Sequence, residues 1–318
     1  MTAKFGLALE NFTPEHKSPS LESLSEYAVT AEALGFSSLW AWDHLFLGSR
    51  RGFPFFEALT TLGLLAARTS TITLGTGVLV LPIREPAVLA KVTSTLQIAS
   101  GGRLSLGLAA GWYEREFEAT AVPFKERGRI FERNLDILYR LWEESDVSGE
   151  YDGRVFKHVR MLPRPHPRPR VLIGGYVDRV LHRAATKSDG WLTYFYTADS
   201  FRTSWRKIEG FAEEAGRDPA GLGNVAQVPL CIGSSYEDAT RRAFSYLGEY
   251  FDMPEWSEST AESSVRGTPE QCAEQIDAYL SAGVQQLVFC PCDYELDQVN
   301  RLAAEVLPLV GTSPSSAP

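Results

Sequence analysis

Ser37-Ser38-Leu39-Trp40-Ala41-Trp42-Asp43-His44 is a short apolar stretch that ends abruptly in an acid and a histidine. Apolar and aromatic residues ahead of two ionisable ones predict a buried β-strand whose last residues emerge at a working surface. We therefore expect this strand to belong to a buried parallel sheet, and its end to form the floor of an active site.

A strand-then-helix rhythm continues on both sides of this stretch. The predicted strands are residues 5–9, 38–43, 71–80, 104–110, 171–174, 190–195, 225–232 and 286–290. The predicted helices are residues 21–34, 55–68, 86–100, 128–144, 177–187, 199–215, 235–250, 268–281 and 296–309. Eight apolar strands alternating with helices predict an α/β fold, a single (β/α)8 TIM barrel. A doubly wound sheet would not need eight units, and the chain has no early dinucleotide glycine fingerprint.

Two segments interrupt the rhythm. Residues 146–169 carry four alternating prolines near their end, which favours an extended conformation. Residues 252–266 are a polar stretch. We therefore expect insertions after strands 4 and 7. The pattern gives no domain boundary, so we expect one domain over residues 1–310 and a disordered tail over residues 311–318.

Composition limits the class of protein. The 318 residues are 44% hydrophobic and 22% charged, as in soluble globular proteins, and the net charge of -9 argues against a nucleic-acid partner. No apolar run approaches about 18 residues and the N-terminus lacks a signal-peptide pattern, so we expect a cytoplasmic protein that does not use a membrane. We expect the four cysteines to be reduced, and Cys290-Pro291-Cys292 lacks metal-site spacing, so we predict no metal.

Several predicted strands end in glycine or in aromatic residues. These ends are Gly75-Thr76-Gly77, Gly111-Trp112, Gly174-Gly175 and Tyr194-Phe195-Tyr196. In a barrel of this kind the strand ends carry the functional groups. Glycines there are explained either by simple chain turns or by a large flat or phosphorylated ligand pressed against the backbone.

A set of short motifs, in order along nearly the whole chain, resembles the luciferase-like monooxygenase superfamily and, within it, the branch that uses the deazaflavin coenzyme F420. The motifs are Asp43-His44, Leu74-Gly75-Thr76-Gly77-Val78, Ser100-Gly101-Gly102-Arg103 with Leu106-Gly107 and Gly111-Trp112, Ile173-Gly174-Gly175, Asp189-Gly190-Trp191 and Gly267-Thr268-Pro269. No single motif is specific to this superfamily, but the six motifs in the same order along the chain are.

The resemblance implies that F420, or alternatively FMN, lies across the C-terminal mouth of the barrel. The cofactor-binding residues that it implies are Asp43, Thr76, Gly77, Val78, Gly111, Trp112, Gly174 and Gly175. It also implies a non-prolyl cis peptide at Gly77-Val78 behind the ring. Gly174-Gly175 matches the phosphate site of the family, and a following helix N-terminus suits an anion.

The catalytic residues that the resemblance implies are His44 and its neighbour Asp43. Imidazole exchanges protons near neutral pH, which suits a donor or acceptor at a substrate oxygen during hydride transfer. Adjacent strand residues point to opposite sides, so we expect only one of the two side chains to face the cofactor. Glu10, Trp42 and Tyr194 are candidate substrate contacts, although Glu10 and Asn11 are equally compatible with an exposed loop.

The leading hypothesis is an F420-dependent oxidoreductase that transfers hydride to or from a small organic substrate. The alternatives are an FMN-dependent monooxygenase and a non-catalytic flavin-binding protein. Some F420-dependent sugar-phosphate dehydrogenases have tryptophan four residues after the histidine, where this chain has Gly48, so the same substrate is in doubt. A homodimer is expected from the family resemblance alone.

Overall fold

The computed structural model describes residues 4–48, 52–251 and 260–311. The strands are β1 Lys4–Ala8, β2 Ser38–Ala41, β3 Thr73–Val80, β4 Leu104–Ala109, β5 Val147–Tyr151, β6 Arg154–Val159, β7 Arg170–Gly174, β8 Gly190–Tyr194, β9 Gly223–Ile232, β10 Val265–Gly267 and β11 Gln286–Pro291. The α-helices are α1 Leu21–Ala33, α2 Ala58–Ala66, α3 Pro86–Ala99, α4 Glu114–Ala119, α5 Arg127–Glu143, α6 Asp178–Lys187, α7 Ala198–Glu214, α8 Tyr236–Phe251, α9 Pro269–Ser281 and α10 Leu296–Arg301.

Eight parallel strands form a closed barrel. The pairing order is β11, β1, β2, β3, β4, β7, β8 and β9, and β9 pairs back to β11. Helices connect successive strands, because parallel neighbours need a crossover to return the chain to the same end. The predicted TIM barrel is confirmed.

One large side chain, that of Trp40, lies buried inside the barrel. Trp40 is 1% exposed, and its indole N–H donates to Ser38 Oγ at 2.8 Å. Gln286 Nε2 donates to the same oxygen at 2.5 Å, so Ser38 joins the side chains of β2 and β11. A Cβ at Gly75 would overlap the Trp40 ring, which explains why glycine lies opposite the tryptophan.

The structure corrects several predicted elements. The segment after the fourth barrel strand contains an antiparallel hairpin, β5 with β6, which lies outside the barrel and accounts for the first insertion. The helix α4 was not predicted. Of the second predicted insertion, residues 252–259 lie outside the described residues, and its last part is β10, which pairs with the end of β9. Of the predicted tail, residues 312–318 also lie outside them.

The last predicted helix, residues 296–309, is divided. It is α-helical only over α10, continues as a π-helical segment, Leu302–Val306, and ends as a 3-10 turn, Leu307–Leu309. Pro308 has no N–H to donate, so the hydrogen bonds of a regular α-helix cannot continue through the end of this segment. In the part of the chain that is described, no helix has the length and apolarity needed to span a bilayer.

One carboxylate connects α1 to the start of β3. Glu32 Oε1 accepts hydrogen bonds from the N–H groups of Ser70 at 2.9 Å, Thr71 at 2.6 Å and Ile72 at 2.9 Å. Partial burial alone would raise the pKa of Glu32, but these donors outweigh it and lower the pKa to about 2. The ionised carboxylate therefore stabilises the folded chain.

Replacing this charge gives a pH-dependent prediction. The folded pKa is depressed, so the stabilisation is present above the ordinary carboxyl pKa and is lost as pH falls toward about 2. We expect Glu32→Gln to cost about 1–2 kcal/mol at pH 7, after allowance for solvent screening. Urea unfolding at pH 7 and pH 3 measures this, with the exposed Glu26→Gln on the same helix as control. A cost for Glu32→Gln that is equal at both pH values would contradict the assignment.

Candidate active site

A cavity of about 450 Å³ opens at the C-terminal ends of the barrel strands. Its lining comes from the ends of β2, β3, β4, β7 and β8, from the segments that follow them and from the segment that follows β1. The lining residues are Phe12, Trp42, Asp43, His44, Leu47, Phe55, Gly77, Val78, Val80, Ala109, Ala110, Gly111, Trp112, Arg127, Phe131, Ile173, Gly174, Gly175, Tyr176, Val177, Val180, Arg183 and Tyr194.

Two of the residues that the sequence singled out do not line this cavity. Thr76 is completely buried, and its hydroxyl donates to the Gly107 carbonyl on the next strand at 2.9 Å. The Glu10 carboxylate accepts from Lys17 Nζ at 2.5 Å and from the Tyr250 hydroxyl. All the other predicted catalytic, cofactor-binding and substrate-binding residues line the cavity.

His44 is held by a carboxylate that the sequence did not reveal. Its Nδ1 lies 3.0 Å from Oε2 of Glu116, and the other Glu116 oxygen accepts the Leu45 N–H at 2.5 Å. The Glu116 side chain is 1% exposed, whereas that of His44 is 15% exposed. Because Nδ1 is occupied, Nε2 is the ring nitrogen left for a ligand in the cavity. A carboxylate on one nitrogen fixes the tautomer and the ring orientation.

Asp43 points its charge away from this pair. Its Oδ2 accepts the Val80 N–H at 2.9 Å, and its Oδ1 accepts from Arg84 Nη2 at 2.5 Å. Arg84 also contacts Glu57 at 2.8 Å. Burial raises the pKa of the Asp43 carboxyl, and Arg84 and the Val80 N–H oppose that rise. Both residues line the cavity, but the Asp43 carboxylate is bound to Val80 and Arg84, so Asp43 joins the end of β2 to the end of β3.

Glycine shapes the wall where β3 crosses the cavity. The Gly77–Val78 peptide bond is cis, as predicted, and the β3–β4 register shifts at this point. A Cβ at Gly174 would lie 2.8 Å from Val78 Cγ1, and one at Gly111 would lie 2.6 Å from Val80 Cγ1. Gly111 also has a φ of +81°, which other residues rarely adopt. These glycines therefore let the backbone itself form the wall.

One end of the cavity is positively charged, and we call it the cationic end: Arg127, Arg183, Gly175 and the first turn of α6. Arg127 donates to the Gly111 carbonyl at 3.1 Å and has no carboxylate within ion-pair distance among the described residues. Arg183 is paired with Glu132 at 2.6 Å. The unpaired N–H groups at a helix start carry a partial positive charge, so an anion is favoured at this end.

The lining around His44 is formed by rings, and we call it the aromatic wall: Phe12, Trp42, Phe55 and Trp112. The Phe55 and Trp112 rings contact His44 edge-on, with centroids at 5.5 Å and 5.7 Å. Phe12 stacks on Phe55 at 4.8 Å and meets Trp42 edge-on at 5.9 Å.

Asn11 is buried and forms hydrogen bonds to two segments of backbone that carry the aromatic wall, one at Trp42 and one at Phe56. It donates to the carbonyls of Trp42 at 2.8 Å and Phe56 at 3.0 Å, and it accepts the Trp42 N–H at 2.9 Å. The sequence offered a substrate contact or an exposed loop for Asn11, but the residue is buried and does not line the cavity.

Sequence reasoning missed Glu116 and Arg127. Glu116 lies between Glu114 and Glu118 on a short helix, and only the tertiary fold buries the middle one of the three. Arg127 begins α5 and has no motif around it. All four cysteines are buried as free thiols, and within the described ranges no group of three or more His, Cys, Asp or Glu side chains is placed to hold a metal.

Comparison with known proteins identifies the family. A model of the family described as luciferase-like monooxygenase matches residues 3–286. The F420-dependent glucose-6-phosphate dehydrogenase of Amycolatopsis mediterranei is 25% identical over 311 residues, which cover 90% of this chain and 93% of that protein. The FMNH2-dependent dimethylsulfone monooxygenase of Pseudomonas fluorescens is 25% identical over 257 residues, which cover 71% of this chain and 70% of that protein.

A solved structure shows the same fold. The F420-dependent secondary alcohol dehydrogenase in complex with an F420-acetone adduct gives a TM-score of 0.81 at 18% identity, over 98% of this chain and 99% of that chain. The similar proteins named here are oxidoreductases that use F420 or reduced FMN, so the comparisons support an enzyme of oxidoreductase type. Because the family model matches most of its length, the chain belongs to the luciferase-like monooxygenase family.

Proposed function

We propose that the protein is an F420-dependent oxidoreductase that transfers hydride between the deazaflavin and a small organic substrate. The observation that carries this proposal is the contact between buried Glu116 and partly exposed His44, since the other ring nitrogen of His44 is left for a ligand in the cavity at the barrel mouth. A hydride transfer at an oxygen-bearing carbon needs a partner for one proton, and an oriented imidazole supplies it.

The cavity fits a cofactor made of a flat ring and a phosphate. Gly77, Val78, Gly111 and Trp112 would surround the ring, because glycine there leaves the wall as bare backbone. The cationic end would hold the phosphate through Arg127 and the first turn of α6. When bound, the deazaflavin supplies or accepts the hydride. This chain would bind and orient it, and His44 Nε2 would hold or release the proton at the substrate oxygen.

The second candidate function is an FMN-dependent monooxygenase. It is supported by the similarity to the dimethylsulfone monooxygenase, and FMN shares the flat ring and phosphate that the cavity fits. Titration of the purified protein with F420 and with FMN tests both, with tryptophan fluorescence as the readout, since Trp112 lines the cavity. Tighter binding of F420, together with its reduction or oxidation by substrate without oxygen, supports the first function. Tight binding of FMN alone would overturn it.

Arg127 gives a prediction for the phosphate. We expect Arg127→Ala to weaken F420 binding by about 10–30-fold, because charge-assisted hydrogen bonds to phosphate are lost. Binding of the deazaflavin riboside that lacks the phosphate should change little. The exposed Arg129→Ala, on the same helix, is the matched control. Equal weakening of both ligands would show that Arg127 acts on the shape of the cavity rather than on the phosphate.

We further propose, on the family resemblance, that residues 1–310 work as one barrel domain and that two copies associate as a homodimer. Sedimentation velocity at several protein concentrations tests the second point.

A further inference from the structure

Two of the four buried cysteines lie side by side at the ends of neighbouring barrel strands. Cys231 lies near the end of β9, and Cys292 directly follows β11. Pro291 pairs with Leu230 in the β11–β9 ladder, so Cys292 and Cys231 are the next residues of the two strands. Adjacent strands are about 4.7–4.9 Å apart, which lies within the Cα separation of about 4.4–6.8 Å that a disulfide bond spans.

The two thiols contact each other. The side chains of Cys231 and Cys292 form a hydrogen bond with each other. Cys292 Sγ also lies 3.7 Å from the Arg242 carbonyl oxygen and 3.8 Å from Asp293 Oδ2. Both cysteines are buried, Cys231 with 1% of its surface exposed and Cys292 with none. The sulfur atoms are therefore placed to bond covalently without a large movement of either strand, and only a small oxidant could reach them.

The surroundings favour the thiolate form of Cys231. The hydrogen bond with Cys292 lowers the pKa of the Cys231 thiol; burial opposes this change, and the Arg242 guanidinium reinforces it. The same hydrogen bond, together with burial, raises the pKa of the Cys292 thiol. Burial raises the pKa of Cys272 to about 12 and also raises that of Cys290. Because the thiolate is the reactive form of cysteine, Cys231 is the expected nucleophile of the pair.

From this geometry we propose that Cys231 and Cys292 form a reversible disulfide bond when the protein meets hydrogen peroxide. Cys231 attacks one peroxide oxygen, the oxygen–oxygen bond breaks, and a sulfenic acid forms as one water leaves. The Cys292 thiol then attacks the oxidised sulfur, and a second water leaves. The thiols lose two electrons, the peroxide gains them, and both thiol protons end in the two waters. A dithiol reductant reverses the reaction.

A short turn connects this pair to the cavity. Cys292 begins a turn that ends at Tyr294, and Asp293 and Tyr294 both have a φ of +53°, which is uncommon outside glycine. The Tyr294 hydroxyl accepts the Trp42 indole N–H at 3.0 Å, and Trp42 lines the cavity. Bonded sulfur atoms lie closer together than hydrogen-bonded ones, so the disulfide would draw Cys292 toward β9 and displace Tyr294. We therefore expect oxidation to weaken cofactor binding.

Peptide mapping tests the bond itself. The full chain is treated with hydrogen peroxide, the remaining thiols are alkylated, and the unreduced peptides are identified by mass spectrometry. We expect one linked pair, Cys231 with Cys292, that dithiothreitol separates. Cys272→Ser and Cys290→Ser are the matched controls and should keep this pair. Alkylated thiols at both positions, or a bond from Cys231 to Cys272, would overturn the proposal.

The order of attack has a separate test. Cys292→Ser, treated with peroxide and dimedone, should carry the dimedone adduct on Cys231, because no second thiol remains to displace the sulfenic oxygen. Cys231→Ser should carry no adduct. An adduct on Cys292 in that variant would overturn the assignment of Cys231 as the nucleophile.

Titration of the reduced and oxidised protein with F420 tests the connection to the cavity, and this part alone rests on the proposed function. We expect oxidation to raise the dissociation constant by about fivefold or more, and dithiothreitol to restore it. Cys231→Ser should show no change after the same treatment. An unchanged constant in the oxidised protein would overturn the connection to the cavity. Failure of F420 to bind either form would overturn the proposed function instead, and the mapped disulfide would stand.

Discussion

His44→Ala is expected to lower turnover by about 100-fold or more while F420 affinity stays nearly constant. The imidazole is the group that faces the cavity with a free nitrogen, and alanine leaves no group to exchange the substrate proton. Steady-state kinetics combined with fluorescence titration separates the two effects. Unchanged turnover would remove His44 from the mechanism, and a parallel loss of cofactor affinity would make it a binding residue.

The partner of His44 allows a finer test of the same pair. Glu116→Gln keeps the shape and an acceptor for the Leu45 N–H but removes the negative charge beside the imidazole. We expect a smaller loss of turnover than in His44→Ala, because the imidazole stays in the cavity but loses the carboxylate that fixes its orientation. Glu118→Gln, exposed on the same helix, should leave turnover unchanged. Turnover in Glu116→Gln equal to that of the unaltered protein would make Glu116 a purely structural contact.

Asp43→Ala is expected to destabilise the protein by about 3 kcal/mol, because removing one member of a buried ion pair leaves the other charge uncompensated. Arg84 would keep only Glu57, and the Val80 N–H would lose its acceptor. The effect should appear in urea unfolding. Because both carboxylate oxygens are already bound to the scaffold, we expect Asp43 to act on stability first and on turnover through the position of His44.

Glu57→Gln is the control for this ion pair. Glu57 contacts the same guanidinium, but its side chain is 36% exposed, so its loss should cost no more than about 1 kcal/mol. If the two variants are equally destabilised, the burial of Asp43 does not account for the contribution of its ion pair to stability. If Asp43→Ala is fully stable and yet inactive, Asp43 belongs in the chemistry, as the family resemblance implied.

The residues that line or support the cavity differ in how far the sequence predicted them. Glycines at strand ends and the Asp43-His44 pair are local patterns, so the backbone wall and the imidazole could be expected before the structure was seen. Glu116 and Arg127 could not, because each lies in a run of charged residues with nothing local to distinguish it. Their importance comes from which neighbours the barrel brings within hydrogen-bonding distance.

Thr76 and Glu10 are residues that the sequence singled out as part of the site, but they do not line the cavity. Thr76 lies in a motif that the resemblance assigns to the cofactor, yet its hydroxyl bonds to β4 inside the sheet. Alternate strand residues face opposite sides, so a residue within a motif can face away from the cavity that the motif shapes. Glu10 follows a strand end, but Lys17 and Tyr250 bind its carboxylate away from the cavity.

The sequence by itself determined the barrel and the emergence of His44 at a strand end, whereas the cis bond at Gly77–Val78 was implied by the family resemblance. These depend on periodicity and on short motifs, which are properties of neighbouring residues. Only the tertiary structure decided that Glu116 orients His44, that Asp43 is bound to Arg84, and that Arg127, Arg183 and the rings line the same cavity. The physical reason is that these contacts join residues far apart in the chain, and burial, which gives each charge its effect, exists only once the barrel has closed.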